Sequence, residues 1–306
     1  MTIHPQSASV SQQTEIVLAC RDGVALRGHF WPCGSVRRNG VVVINPTFGA
    51  PARTYHRYAA FLARHGFDVL TYDYRGVGLS RPDKLRGCRY RLREWGLYDC
   101  DAALAFSQRI SPGARLIVIG HGFGGCLPGL APNGLHISRI LTMGTLYGSW
   151  GDYPRDQRRR LFWQWHVAMP ALTARYGYFP GKRVGLSEDL PKGVANAWSF
   201  RRRDIELNHP SRMRPSVRAG FSSVIAPILA IVMSDDEFGV ISAANNALRY
   251  YTDAERQSIL LDPQDFGCEK IGHFGMFETP READLWQKTL GWLRDGANPW
   301  SERRFR

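Results

Sequence analysis

The feature that most constrains the fold is an apolar strand that runs directly into a glycine-rich turn. Residues 116–119 read LIVI, a run of branched apolar side chains typical of a buried strand. Residues 120–125 read GHGFGG, and an apolar stretch of helical character follows. Glycines at such a turn let two backbone segments approach closely. The segment therefore predicts a strand–turn–helix unit of an α/β fold.

The same turn has the outline of a nucleophile elbow, Gly-x-Ser-x-Gly, in which a sharp strand-to-helix turn lifts a reactive side chain above the sheet. Gly122 occupies the nucleophile position and has no side chain. Glycine tolerates the strained backbone of that position, so we expect the turn to form. Glycine-rich turns also bind phosphate groups, so the turn alone does not decide the chemistry.

Candidates for an acid and a base follow two later strand-like runs. Asp235 and Asp236 come after ILAIVM at 228–233, and His273 lies in the loop IGHFG after SILL at 258–261. A histidine that acts as a base needs a carboxylate to fix its tautomer and to stabilise the imidazolium. The sequence therefore predicts that His273 pairs with one of the two aspartates.

The order elbow, acid, histidine is the chain order of α/β-hydrolases. The chain resembles the predicted α/β-hydrolases of the serine aminopeptidase-like group. The resemblance covers roughly residues 15–295 and rests also on DYRGVGLS at 73–80, GYFPG at 177–181 and EDLPKGV at 188–194. It implies an α/β-hydrolase fold, with a mostly parallel doubly wound sheet. It also implies Asp236 as the acid, because the family's acid occupies that place in its loop, with Asp235 as the alternative.

Strand and helix patterns alternate along most of the chain, which predicts a parallel sheet with helices on both faces. The alternation stops near residue 146 and resumes near residue 228, and the interval is rich in Trp, Tyr, Pro and Arg. We interpret 146–225 as a helical cap, inserted after strand 6, over the sheet edge where ligands bind. The core is then 16–145 and 226–295, with a flexible lead-in at 1–15 and a C-terminal tail at 296–306.

The shorter patterns predict individual elements of that core. They are a hairpin of 16–20 with 24–31, strands at 41–44, 68–74 and 140–143, and helices at 55–65 and 94–109.

The chain of 306 residues has a formal net charge of +13. Residues 151–220 hold 14 basic and 6 acidic residues, so that region supplies most of the imbalance. No nucleic-acid-binding motif accompanies the charge, which favours a small-molecule substrate that is anionic or carrier-linked. The arginines of this region are expected on a solvated surface; they include Arg155, Arg158, Arg159, Arg160, Arg201, Arg202 and Arg203.

Location and cofactors follow from what the sequence lacks. No apolar run approaches the roughly 18 residues that would span a bilayer, and the first 15 residues lack a secretory signal pattern. The six cysteines show no metal-ligand spacing. We therefore expect a cytoplasmic protein with reduced cysteines, no metal and no organic cofactor, although a Cys88–Cys100 disulfide stays open. The oligomeric state is not predicted.

Two backbone N–H groups are the predicted oxyanion hole. Phe123 follows the nucleophile position, and Thr47 is chosen from NPTFG at 45–49 because Pro46 has no N–H. Two side chains could replace the missing nucleophile, but neither is favoured. Cys126 is expected to face the core, and His121 is expected to pack beneath the turn.

These residues favour a hydrolase-superfamily enzyme that acts on a carbonyl substrate, such as an ester, thioester or lactone. The family's mechanism needs a serine at 122, so Gly122 leaves three explanations open. In the first explanation, Gly122 is an engineered replacement of the nucleophile. In the second, Gly122 is natural, and His273 with Asp236 catalyses cyclisation, elimination, carbon–carbon cleavage or slow water attack. The third explanation is a non-catalytic ligand-binding protein with this fold.

Overall fold

The structure is a computed structural model that describes residues 13–34 and 38–305. Most of the predicted lead-in lies outside the described residues. The strands are β1 Thr14–Ala19, β2 Ala25–Trp31, β3 Gly40–Asn45, β4 Phe67–Tyr72, β5 Leu116–His121, β6 Arg139–Met143, β7 Tyr178–Phe179, β8 Leu190–Pro191, β9 Ile228–Met233, β10 Arg256–Leu261 and β11 Arg304–Phe305. The α-helices are α1 His56–Arg64, α2 Leu92–Glu94, α3 Asp101–Ile110, α4 Arg155–Phe162, α5 Met169–Tyr176, α6 Lys192–Ser199, α7 Arg214–Ser222, α8 Ile241–Leu248, α9 Gly272–Gly275 and α10 Gln287–Asp295.

One sheet organises the described residues, with strand order β1-β2-β4-β3-β5-β6-β9-β10-β11. The strands from β4 to β10 in that order run parallel to their neighbours, whereas β1, β2 and β11 pair antiparallel at the two edges. The mostly parallel sheet predicted from the sequence is therefore confirmed. The predicted C-terminal tail adds an edge strand, β11, which pairs with β10.

Alternate side chains of the parallel strands pack into two separate hydrophobic clusters, one on each face of the sheet. In β3, Val41 and Val43 pack on the side of α3, whereas Val42 and Ile44 pack on the side of α1 and α10. Burying one such side chain contributes roughly 1.5–3 kcal/mol, so a strand that is apolar at every position is most stable between two layers of helices.

The turn after β5 departs from the prediction, because no α-helix follows it. Three short 3₁₀ turns occupy Gly122–Cys126, Pro128–Leu130 and Pro132–His136. Prolines lack the N–H that an α-helix interior requires, and two prolines and two further glycines interrupt this stretch. The helix predicted for 94–109 is present, but a π-helical turn at Trp95–Cys100 separates α2 from α3.

Residues 146–225 lie between β6 and β9 and form mainly helices, α4 to α7, with the small β7–β8 pair; we call them the inserted segment. Arg201 in this segment was expected on a solvated surface, and that expectation is wrong. Its guanidinium is buried, lies 4.3 Å and 4.0 Å from the ring centroids of Trp165 and Trp198, and donates to the carbonyls of Gly148 and Trp198. Burial lowers the pKa of Arg201 to about 10. Over the described ranges, none of the helices combines the length and the apolar character needed to cross a bilayer.

Candidate active site

Gly122 stands at the end of β5, at the sheet edge where the parallel strands terminate. Its φ is +52°, in the left-handed region that side-chain-bearing residues adopt only with strain. Its carbonyl accepts hydrogen bonds from the Thr145 hydroxyl at 3.1 Å and the Leu146 N–H at 3.3 Å. The backbone is therefore held in the strained turn of an elbow, although no side chain projects from it.

The space in which a side chain at 122 would begin is already filled by Thr47. A Cβ placed on Gly122 would lie 2.0 Å from Thr47 Oγ1 and 2.8 Å from Thr47 Cβ. Rotating the Thr47 side chain moves the hydroxyl but leaves its Cβ in place. A larger residue at 122 therefore requires the loop of Thr47 to move.

His273 and Asp236 form a buried pair beside this turn. His273 Nδ1 lies 2.8 Å from Asp236 Oδ2, and both side chains are almost wholly excluded from solvent. The second carboxylate oxygen of Asp236 accepts the backbone N–H groups of Phe238 and Gly239, each at 2.8 Å. Gly144, which directly follows β6, leaves room for the Asp236 carboxylate beside His273, because a Cβ on Gly144 would lie 2.7 Å from Asp236 Oδ2.

Asp235 points to a different partner. Its Oδ2 accepts the N–H groups of Ile271 and Gly272, at 2.8 Å and 2.9 Å. These residues directly precede His273, so Asp235 fastens the loop that carries the histidine and Asp236 contacts the imidazole itself.

Thr47 contacts the other nitrogen of the His273 ring. Its Oγ1 lies 3.4 Å from His273 Nε2, and its backbone N–H donates to the Tyr55 hydroxyl at 2.9 Å. That N–H is therefore already engaged, and the oxyanion-hole role predicted for it would require the bond to Tyr55 to break. Phe123, the other predicted donor, follows Gly122 in the first 3₁₀ turn.

A buried histidine connects the loops of Thr47 and His273. His121 Nε2 lies 3.1 Å from the backbone carbonyl of His273, and since a carbonyl only accepts, this nitrogen carries the proton. The Nδ1 of His121 then accepts from the Tyr55 hydroxyl at 2.8 Å. Burial, and secondly the neighbouring His273, lower the pKa of His121 well below its ordinary value. The sequence placed His121 beneath the turn, as observed, but no pattern in it indicated Tyr55.

A narrow cavity of about 100 Å³ opens onto Thr47 and His273. Its walls are mainly apolar and aromatic, and the inserted segment supplies Tyr153, Trp165, Met169 and Trp198. Phe48 stacks on Trp198 with ring centroids 4.5 Å apart, which joins the loop after β3 to the inserted segment. A larger groove of about 380 Å³ near Arg93 and Val217 includes none of these polar groups.

Cys126, the cysteine that follows the elbow most closely in the chain, is unsuited to act as a nucleophile. Cys126 is buried, its thiol donates to the Leu146 carbonyl at 3.8 Å, and burial raises its pKa well above the ordinary value. Cys88 and Cys100 are separate thiols. Within residues 13–34 and 38–305, His, Cys, Asp and Glu side chains form no group of three or more that could hold a metal ion.

Comparison with known proteins shows what this chain is similar to in sequence and in fold. A family model described as "Serine aminopeptidase, S33" matches residues 37–131, which contain the loop of Thr47 and the elbow. The solved structure of the alpha/beta hydrolase GrgF from Penicillium sp. sh18 covers 92% of this chain and 98% of its own, with a TM-score of 0.58 and 15% identity. The chain is an α/β-hydrolase by fold. The resemblance and fold class expected from the sequence are confirmed.

Two further solved structures share the α/β-hydrolase fold of this chain. A soluble variant of monoglyceride lipase from Saccharomyces cerevisiae, in complex with a substrate analog, is 15% identical, covers 97% of this chain and 99% of its own, and has a TM-score of 0.59. The Pyrococcus furiosus esterase PF2001 is 14% identical, covers 92% and 90%, and has a TM-score of 0.57. No curated protein sequence matches this chain significantly.

Proposed function

We propose that this α/β-hydrolase is an enzyme acting on the carbonyl group of an ester, thioester or lactone, with His273 as general base and Asp236 as its partner. The observation that carries the proposal is the 2.8 Å contact between His273 Nδ1 and Asp236 Oδ2. Because a carboxylate accepts, the proton of the neutral ring lies on Nδ1, and Nε2 is left able to accept a proton at the cavity.

The proposed chemistry uses the pair in a fixed orientation. The two N–H groups on Asp236 Oδ1 keep that carboxylate aligned with the imidazole, and the carboxylate stabilises the imidazolium that forms. A positioned general base of this kind contributes about 10²–10⁴-fold to rate. The Phe123 N–H is the proposed donor to the developing oxyanion, and no cofactor is included.

The substrate class follows from the cavity and the charge around it. The aromatic walls fit a small apolar acyl group, and the inserted segment would act as the cap that excludes water. An anionic or carrier-linked portion would lie outside the cavity, attracted by the excess of basic over acidic residues, 14 against 6, among 151–220.

A second candidate is general-base chemistry without a covalent intermediate, such as cyclisation, elimination or carbon–carbon cleavage. The absence of a side chain at Gly122 favours it. The contact of 2.8 Å that a Cβ at 122 would make with Thr47 Cβ argues against an engineered removal of serine, because an unaltered loop would not have accommodated that serine. A non-catalytic binding protein is the remaining outcome of the test.

The test measures turnover of p-nitrophenyl esters and thioesters with acyl chains from acetyl to octanoyl. We expect His273→Ala to lower kcat by about a hundredfold or more, and Asp236→Asn to lower it through loss of tautomer control. His136→Ala, which alters an exposed histidine, is the matched control and should keep the parent rate. A folded His273→Ala protein with undiminished turnover, or a parent protein that binds these compounds without converting any, contradicts the proposal.

A further inference from the structure

We propose that the Thr47 hydroxyl is the nucleophile of this α/β-hydrolase, supplied by the loop after β3 in place of a side chain at the elbow. The inference rests on the proposed function, because it assumes that His273 acts as a base. It assigns Thr47 a covalent role that differs from the backbone role expected from the sequence.

The first observation is the position of the hydroxyl. Thr47 Oγ1 lies 2.0 Å from the point where a Cβ on Gly122 would stand. The oxygen therefore occupies the start of the volume that an elbow side chain fills, although it comes from a different strand. Thr47 also lines the cavity, so an acyl group bound there would meet this oxygen.

The second observation is a continuous set of contacts from the hydroxyl to the acid. Thr47 Oγ1 is 3.4 Å from His273 Nε2, and His273 Nδ1 is 2.8 Å from Asp236 Oδ2. The bare Nε2 can only accept, so the threonine hydroxyl donates to it. A nucleophile whose proton points at a base, which is oriented by a carboxylate, is the arrangement that activates serine or threonine.

The third observation is that the backbone of Thr47 is anchored. Its N–H donates to Tyr55, whose hydroxyl donates to His121, and His121 donates to the carbonyl of His273. These bonds fix the nucleophile loop and the histidine loop relative to each other. The 3.4 Å separation is at the long end for a hydrogen bond, as is common before substrate binds.

The reaction balances with the residues present and water. Thr47 Oγ1 attacks the acyl carbon while its proton passes to His273 Nε2. The tetrahedral intermediate collapses, the bond from carbon to the leaving oxygen or sulfur breaks, and the leaving group takes the proton from Nε2. Water then attacks the threonyl ester and gives a proton to Nε2, and that proton returns to Oγ1 as the acid product leaves.

The experiment is covalent labelling of the full chain with a fluorophosphonate, followed by mass spectrometry of its peptides. We expect one phosphonyl adduct on Thr47, formed as fluoride leaves. Thr47→Val keeps the shape of the side chain and removes the hydroxyl, so it should abolish the adduct and lower ester turnover by a hundredfold or more. Thr47→Ser should keep both, and equal unfolding midpoints would show that all three proteins fold.

The outcomes distinguish a failure of Thr47 as the nucleophile from a failure of the proposed function. If the parent protein gains no adduct on Thr47, or if Thr47→Val turns over esters at the parent rate, the threonine is not the nucleophile. If Thr47→Val keeps turnover that His273→Ala loses, the proposed function stands, and water, with His273 as its base, attacks the acyl carbon directly. If His273→Ala also keeps turnover, the proposed function fails together with this inference.

Discussion

Gly122 and Thr47 compete for one small volume at the end of β5. The glycine has the backbone of an elbow, at a φ of +52°, and the threonine fills the space above it. A serine introduced at position 122 therefore has no free space in which to place its side chain. The new side chain meets both a strained backbone and an occupied site.

We predict that Gly122→Ser lowers the free energy of unfolding by about 1–3 kcal/mol through overpacking, beyond the cost of a side chain at positive φ. Gly267→Ser is the matched control, because Gly267 has a φ of +63° and no atom within 4 Å of its added Cβ. Urea unfolding of the two variants measures the difference. Equal losses would show that Thr47 does not obstruct position 122.

The clash also predicts how the elbow could regain activity. Adding Thr47→Ala to Gly122→Ser removes the 2.0 Å contact with the hydroxyl, so part of the lost stability should return. The double variant should react with a fluorophosphonate at residue 122 faster than Gly122→Ser alone. A double variant that is no more stable and no more reactive than the single one contradicts this account.

At the scale of elements, the loop after β9 is joined to the loop that carries His273 by two adjacent carboxylates, those of Asp235 and Asp236. Asp236, after β9, contacts the imidazole, and Asp235 accepts the two N–H groups that lead into α9. The second contact sets where the short helix begins and so where His273 stands. Asp235 is therefore a positioning residue in the proposed mechanism.

We predict that Asp235→Ala lowers kcat by about 10- to 100-fold with little change in KM, because small displacements of a catalytic group have effects of that size. Asp235→Asn retains an oxygen that can accept both N–H groups, so it should recover most of the rate. Steady-state kinetics on an ester decide the matter. If Asp235→Asn lowers kcat as much as Asp235→Ala does, then Asp235 supports turnover through its negative charge and not through its hydrogen bonds.

The elements that the sequence predicted well are those with one strong local feature, such as a run of apolar residues or a glycine that ends a helix. Strands such as β3 and β9 are apolar at every position, and α1 ends where Gly66 takes a positive φ. The stretch after the elbow was mistaken for a helix because its apolar content outweighed its prolines. The pairing of His273 with one of the two aspartates was predicted from their places after two strands of the sheet, and the choice of Asp236 over Asp235 came from the family resemblance.

The parts that were missed depend on distances between loops. Thr47 was chosen for its N–H, but the structure engages that group with Tyr55 and turns the hydroxyl toward His273. Arg201 is buried because two tryptophan rings and two carbonyls surround it, a set drawn from separate turns of the inserted segment. No local pattern encodes either arrangement.

At the scale of the whole molecule, two buried histidines, His121 and His209, and two half-buried ones, His56 and His166, have lowered pKa values. Desolvation is the main cause that lowers the pKa of His56 to about 4 and the pKa of His121 well below the ordinary value, and it also lowers those of His166 and His209. In the unfolded chain a histidine titrates near 6.5. Protonation between about pH 6.5 and the folded pKa therefore favours the unfolded state.

We predict that the contribution of His121 and His209 to stability is complete above about pH 6.5 and is lost progressively as the pH is lowered toward 4. Each of the buried histidines His121 and His209 contributes a slope of up to about 1.4 kcal/mol per pH unit, because the unfolded state binds the additional proton. His121→Asn should flatten the dependence by up to one such slope. Chemical unfolding from pH 7 to pH 4 tests this, and a slope unchanged in His121→Asn would mean that the buried ring is protonated in the folded protein.

The crowding between positions 122 and 47 also has a historical consequence. If an ancestor carried serine at the elbow, threonine could not have entered position 47 first without colliding with it. The loss of serine would have had to come before, or together with, the gain of threonine, and a direct return to serine is now obstructed. Relatives that retain an elbow serine should therefore carry glycine at the position of Thr47, and an alignment in which serine and threonine regularly occur together would reject this order of events.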